Sequence, residues 1–426
     1  MKKKILPLIL LTLLIVFTLV ACNNEASSLP QENHTSYDAF TFYPQSSDTY
    51  VVEIAPEGKY YTEIVIPSTY NGGTVVEILE EGFKDCESLQ TITIPNTIQK
   101  IGEAAFENCY DLSTINFTNS VTEIGNNAFW GCRISTVYFE GDLQDWLYIY
   151  FADLWDNGTS NPLHSGADLY LNNELLTELV ADDSMERTDR IAENFNGCTS
   201  LKKVVIPEDA VTIGPRAFDN CHNLENVIIS EGIDAIEEYA FSGCYSLKSI
   251  TIPNSVTEIG EFAFRSCTAL ENITFSEDIS LTQIGEYAFS NCESLKNIII
   301  PNSVRSIGEF AFDSCVSLEN ITLPNGITEI NNRTFQACTS LKDITLPFGI
   351  TRIGIAAFRD CTALESITIF LVLYINDNAF ENCTSLKKID YQGDKFMWNY
   401  TVKKGETWDK ATGNYTIYCT DGNIEK

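Results

Sequence analysis

The chain has 426 residues, 27 of them basic and 59 acidic, for a net charge of −32. A surface this acidic repels phosphate backbones and anionic bilayers, which argues against nucleic acid as a partner and favours solubility. There are 3 histidines and no G-x-S-x-G, H-E-x-x-H or phosphate-loop pattern, so catalysis has no recognisable apparatus.

Lys2, Lys3 and Lys4 precede an apolar run from Ile5 to Val20 and then Ala21 and Cys22. A basic start, a short apolar stretch and small residues before a cleavage point describe a secretory signal over 1–22. The sequence LVAC resembles a bacterial lipobox, which implies that Cys22 is lipidated and becomes the first residue of the mature protein. Residues 23–36 are polar, contain Pro30 and lack periodicity, as expected of a tether. Residues 37–136 supply an N-terminal cap and a first repeat array, in which Cys86, Cys109 and Cys132 are 23 apart.

The array lapses over 137–175, which holds Trp146 and Trp155 and aligns with the C-terminal segment 391–426: Phe139 with Tyr391, Gly141 with Gly393, Asp142 with Asp394, Trp146 with Trp398, Trp155 with Trp408. Solenoid ends expose a core face and need atypical covering units, so both segments are expected to cap or space the arrays. A second array fills 176–390, marked by Cys198, Cys221, Cys244, Cys267, Cys292, Cys315, Cys338, Cys361 and Cys383. One step of 25 residues, from Cys267 to Cys292, interrupts the 23-residue period.

Within a unit, Leu247, Ile250 and Ile252 face one side of a short strand and Thr251 the other. Pro253 ends the strand, Gly260 is expected to permit a turn, and Ala263 with Phe264 suits one tight 3-10 or helical turn. No unit can bury these faces alone, which predicts a β-rich solenoid of about fourteen stacked coils. Cysteine at one repeat position predicts a column of small buried thiols rather than disulfides, since parallel Cβ vectors fit a disulfide poorly.

The unit CYSLKSITIPNSVTEIGEFAF, Cys244 to Phe264, resembles the BspA-like leucine-rich repeats. The resemblance implies a right-handed leucine-rich-repeat coil and a bacterial cell-surface protein that adheres to a protein or cell-surface ligand, host matrix among the candidates. With the lipobox it implies attachment to the membrane through the N-terminal lipid only, facing outside the cytoplasm. An envelope scaffold without an external ligand is the alternative, and an enzyme with a site in the aromatic insert a third.

Three columns are candidates for contact. Lys202, Glu225, Lys248, Glu271, Lys296, Glu319, Lys342, Glu365 and Lys387 alternate in sign, as expected of a register-keeping charge ladder. Asn226, Ser249, Thr251, Asn272, Thr274, Asn297, Asn320, Thr322 and Thr345 would line a concave strand face without aromatics, the expected binding surface. Tyr239, Phe262, Tyr287 and Phe310 would form an aromatic stripe open to a protein partner. No catalytic residue, metal ligand or cofactor site is assigned.

Overall fold

The computed structural model describes residues 35–152, 160–180, 190–191, 193–208 and 210–426. The signal segment with Cys22, most of the tether, His34 and Trp155 lie outside the described residues.

One repeat shows how a coil is made. The strand Ser249–Ile252 alternates exposed and buried side chains, so Ile250 and Ile252 enter the core while Ser249 and Thr251 face out. After Pro253 the chain crosses the core through Val256 and forms a second, two-residue strand at Glu258–Ile259. The next segment, Gly260 to Cys267, is not the expected helical turn. Ala263 N–H bonds to the Gly260 carbonyl, Arg265 to Phe262 and Cys267 to Phe264, each three residues back. No helix forms because Phe262 at φ 57° and Ser266 at φ 60° break the run with left-handed backbone. That conformation turns amides along the stacking axis: the N–H groups of Phe262, Phe264 and Ser266 reach the Glu286, Ala288 and Ser290 carbonyls of the next coil, each at 2.8 Å. The cost of left-handed backbone, about 1–2 kcal/mol per residue, is thus offset by coil-to-coil hydrogen bonds that an ordinary helical turn would keep within its own coil.

Gly260 has a role other than the expected one. A Cβ there would lie 2.8 Å from Glu237 C and Glu238 N; at Gly308 it would lie 2.5 Å from Glu286 N. The glycine lets the backbones of adjacent coils approach, and its own φ is ordinary.

Stacking the units aligns their cores into columns. Phe241, Phe264 and Phe289 stack with centroids 5.4 Å apart and ring planes within 9°. The twelve repeat cysteines are buried and unpaired. Apart from Cys86 and Cys198, which open the arrays, each Sγ donates to the carbonyl of the Phe one coil back, as Cys267 does to Phe241 at 3.2 Å. Burial raises the thiols of the second array, Cys198 to about 11 and Cys383 to about 12.

In each array one parallel ladder carries the longer strands and another the two-residue strands. At the start, Phe40–Pro44 lies antiparallel on Thr49–Ile54; at the end, Thr416–Cys419 and Gly422–Glu425 form a hairpin. The first long-strand ladder finishes in a hairpin of Asp168–Leu171 with Glu174–Leu175, and the second starts at Glu178–Val180. Trp146 joins the arrays: it is fully buried against Phe117 and Phe139, and its Nε1–H bonds to the Asn194 carbonyl at 2.9 Å. Trp398 is buried in the same way on Tyr391. Asp142 and Asp394 each cap the turn after them, accepting from the Asp145 and Met397 N–H groups.

In the second array the long-strand ladder is not continuous. It stops after Asn226–Ile229, after Asn272–Phe275 and after Asn320–Thr322, while the two-residue strands remain joined across all three breaks and are interrupted only between Ser306–Ile307 and Glu329–Ile330.

Candidate interaction surface

The alternation along each strand decides which side chains meet solvent. Asn226, Ser249, Thr251, Asn272, Thr274, Asn297, Asn320, Thr322 and Thr345 sit on successive strands and all are exposed. The register sets Ser249 beside Asn272 and Thr251 beside Thr274, and Asn297 beside Asn320. Some of this polarity is spent between coils: Asn320 Nδ2 donates to Asn297 Oδ1 at 2.8 Å, and Ser366 donates to Asp343.

The face is less uniformly polar than its sequence pattern suggested. Ile299, 72 % exposed, and Ile228 stand where other coils carry Thr. Phe348 is 68 % exposed beside Phe370, centroids 5.9 Å apart, so aromatics do reach this face. The signal was present as NVII and NIII in place of SITI, and as Phe348 where Asn302 and Asn325 stand in earlier coils. Phe396 and Tyr400, both exposed in the C-terminal segment with centroids 5.0 Å apart, were also missed.

The charge column makes few contacts. Lys387 Nζ lies 3.0 Å from Glu365 and Lys342 Nζ 3.9 Å from Glu319; among the described residues no other adjacent pair in the column forms an ion pair. Both pairs are exposed and worth about 0–1 kcal/mol each. The column is close to neutral, so it neither attracts nor repels an approaching chain.

Tyr239, Phe262, Tyr287 and Phe310 form an unbroken stack, with centroids 4.5, 4.8 and 4.2 Å apart and ring planes within 12°. Arg216 and Arg333 occupy the same repeat position in the flanking coils and close the stack, their guanidinium carbons 4.4 Å from the Tyr239 ring and 5.0 Å from the Phe310 ring. The inner ring faces are therefore covered by one another and the outer ones by arginine, leaving edges to solvent. Beside the stack run Glu261, Glu286 and Glu309; burial first and the two neighbouring carboxylates second raise the Glu286 pKa.

Histidine chemistry is dispersed. His222 stacks on Tyr245 at 4.7 Å, with its pKa lowered by burial, and His164 Nδ1 lies 3.0 Å from the Asn161 carbonyl. Among the described residues no three His, Cys, Asp or Glu side chains are grouped to hold a metal ion, and no helix is long and apolar enough to cross a membrane.

The family model for the BspA type leucine rich repeat region matches residues 59–154, 188–283 and 278–387, in 6 copies. Among solved structures, a leucine rich cell surface protein from Faecalibacterium prausnitzii is 26% identical, with 87% of this chain and 97% of that chain covered and a TM-score of 0.51. A leucine-rich repeat protein from Bacteroides ovatus is also 26% identical, covering 90% and 99%, with a TM-score of 0.50. One from Eubacterium ventriosum, 20% identical over 88% and 95% with a TM-score of 0.54, shares the fold. No curated protein matches the chain.

Proposed function

The chain belongs to the BspA-type leucine-rich repeat family, and on that premise we propose that it is a lipid-anchored adhesion protein of the bacterial surface, binding a protein or cell-surface ligand through its long-strand face. A protein-binding or adhesive role is what the family itself suggests. The observation that carries the assignment to this face is the set of small amide and hydroxyl side chains, exposed on strand after strand and interrupted by the exposed aliphatics Ile228 and Ile299. A nearly uncharged surface repeated from coil to coil suits many weak contacts over several coils. Anchoring is supported by the apolar N-terminal run and the LVAC sequence ending at Cys22.

The test is binding of the purified protein to matrix proteins, mucins and bacterial cells, beside a variant in which Asn272, Thr274, Asn297, Asn320 and Thr322 are all lysine. Saturable binding by the parent and loss in the variant is the expected result. Binding confined to envelope fractions would favour a scaffold within the envelope instead. A folded parent that binds nothing on the panel removes the adhesive reading.

A further inference from the structure

The breaks in the long-strand ladder are ordered. Each of the three falls after a coil whose charge-column residue is Glu and before one whose residue is Lys. Within a pair the Glu N–H bonds back to the Lys carbonyl, Glu225 to Lys202 at 2.9 Å, Glu271 to Lys248 at 2.9 Å and Glu319 to Lys296 at 2.8 Å. At each break the last inward side chain gains solvent: Val227, Ile273 and Ile321 are 9, 8 and 9 % exposed, whereas Ile367 and Ile389 in the unbroken C-terminal ladder are at 0 %.

Two of the breaks open into clefts. One, of about 840 Å³, lies between the Asn272 and Asn297 strands, with Ile273 and Ile298 below and Thr274 and Asn297 at its walls. The other, of about 540 Å³, lies between the Asn320 and Asp343 strands and is lined by Ile321, Ile344, Thr322 and Thr345, with Phe348 beyond them. The two are built from the same repeat positions: Ile273 matches Ile321, Thr274 matches Thr322, Ile298 matches Ile344 and Pro301 matches Pro347.

We infer that these clefts are one site written twice, for an extended polypeptide segment that crosses the coils and seats an apolar side chain in each cleft. The inference rests on the adhesive reading of this face and specifies its partner. Three properties select a polypeptide. The inner surface is aliphatic and the walls are amide and hydroxyl groups, which suits an apolar side chain on an uncharged backbone. Neither lining contains Lys or Arg, and each contains a carboxylate, Asp278 or Asp343, which disfavours an anion. The strands that border a cleft end their ladder there, so their main-chain edges offer N–H groups to the carbonyls that even a proline-rich segment keeps, and carbonyls to its non-proline N–H groups.

Spacing selects the conformation. The clefts recur every second coil, a separation on the order of 10 Å at about 4.8 Å per coil. A polyproline II segment returns a side chain to one face every third residue, about 9.3 Å along its axis. The partner therefore carries apolar residues three apart in a segment that stays extended.

The probe is a fluorescein-labelled peptide of about twelve residues, with Leu at every third position among prolines, beside a peptide of equal composition with its leucines adjacent. Anisotropy is read with the purified protein and with three variants whose circular dichroism and melting match the parent: Thr274→Arg and Thr322→Arg, which fill the cleft walls, and Thr368→Arg in the unbroken ladder. Binding of the spaced peptide, weakened about ten-fold or more by each cleft variant and less than about two-fold by T368R, is the expected result. If neither peptide binds, or both bind alike, the inference is overturned while binding of the parent to matrix proteins or cells still stands or falls on its own panel. If T368R weakens binding as much as T274R, binding belongs to the face at large and the clefts have no special part.

Discussion

At the residue scale, the fold depends on side chains held in left-handed backbone, and sequence choice there is a stability variable. Asn108, Asn220, Asn291 and Asn382 occupy one such repeat position, Gly131, Gly197 and Gly243 occupy it in other coils, and Ala337 does so at φ 58°. Asn and Gly tolerate this region, while Ala pays about 1–2 kcal/mol. Ala337→Gly is therefore expected to stabilise by about 0.5–1 kcal/mol after the entropy glycine adds to the unfolded chain. The urea midpoint should rise with the m-value unchanged; a fall would mean that the alanine methyl packs favourably. Asp219 is a second case. It is buried, with Arg216 Nη1 3.4 Å from its carboxylate, and burial raises its pKa to about 6 despite that guanidinium. The folded state thus binds the proton more tightly than the unfolded state. Its contribution is most favourable below the unfolded value of about 3.9 and is lost as pH rises through about 6. Asp219→Asn should flatten that part of the profile and raise the melting temperature at pH 7 relative to pH 4, compared with the parent. Parallel profiles would show that Arg216 compensates the buried charge.

At the element scale, one coil is the unit, and its closeness to the next is what the regular spacing of small groups protects. Gly308→Val places branched carbon where a Cβ alone would lie 2.5 Å from Glu286 N and Gly285 C, so a loss above about 2 kcal/mol is expected from forced separation of two backbones. Glu237 and Asn331 fill the equivalent position in other coils, so the effect should be local, visible as faster hydrogen exchange in coils 285–330 before the rest. The buried thiols give another check. Among the described residues only Cys419 lies outside the column and is partly exposed. Native protein should leave the twelve column thiols unreacted toward a disulfide reagent, and denaturation should release all of them. Much of this unit was legible in the sequence: Phe and Cys recur because the core repeats, and strand alternation sends Thr251 out and Ile250 in. The left-handed turn was not legible, because Tyr239 and Phe262 read as an outward aromatic stripe and their conformation is set by hydrogen bonds to another coil. The ladder breaks were equally hidden. NITF precedes a break and SITI comes after one, yet Ser249–Ile252 pairs in full register with Asn272–Phe275.

At the scale of the whole molecule, charge and binding separate in space, and ionic strength can tell them apart. The net charge of −32 is carried largely off the strand column, where lysine and glutamate alternate, and partly in stacked turns such as Glu261, Glu286 and Glu309. Like charges one coil apart lie well inside the Debye length of about 10 Å at 0.1 M salt, so repulsion strains the stack and added salt relieves it. The melting temperature should therefore rise between about 0.02 and 0.5 M sodium chloride. Binding through a neutral face obeys a different rule. Contacts to the amides, hydroxyls and aliphatics of the long strands bring together few charges, so affinity for a protein ligand should change less than about three-fold over the same range. A ligand held by the acidic turns would instead lose affinity steeply with salt, because each ion pair formed at low ionic strength is screened. Isothermal titration at the two salt concentrations, with melting measured on the same samples, separates these outcomes. Stability that rises while affinity holds places the contact on the strand face, and affinity that collapses as stability rises moves it to the glutamate column beside the aromatic stack.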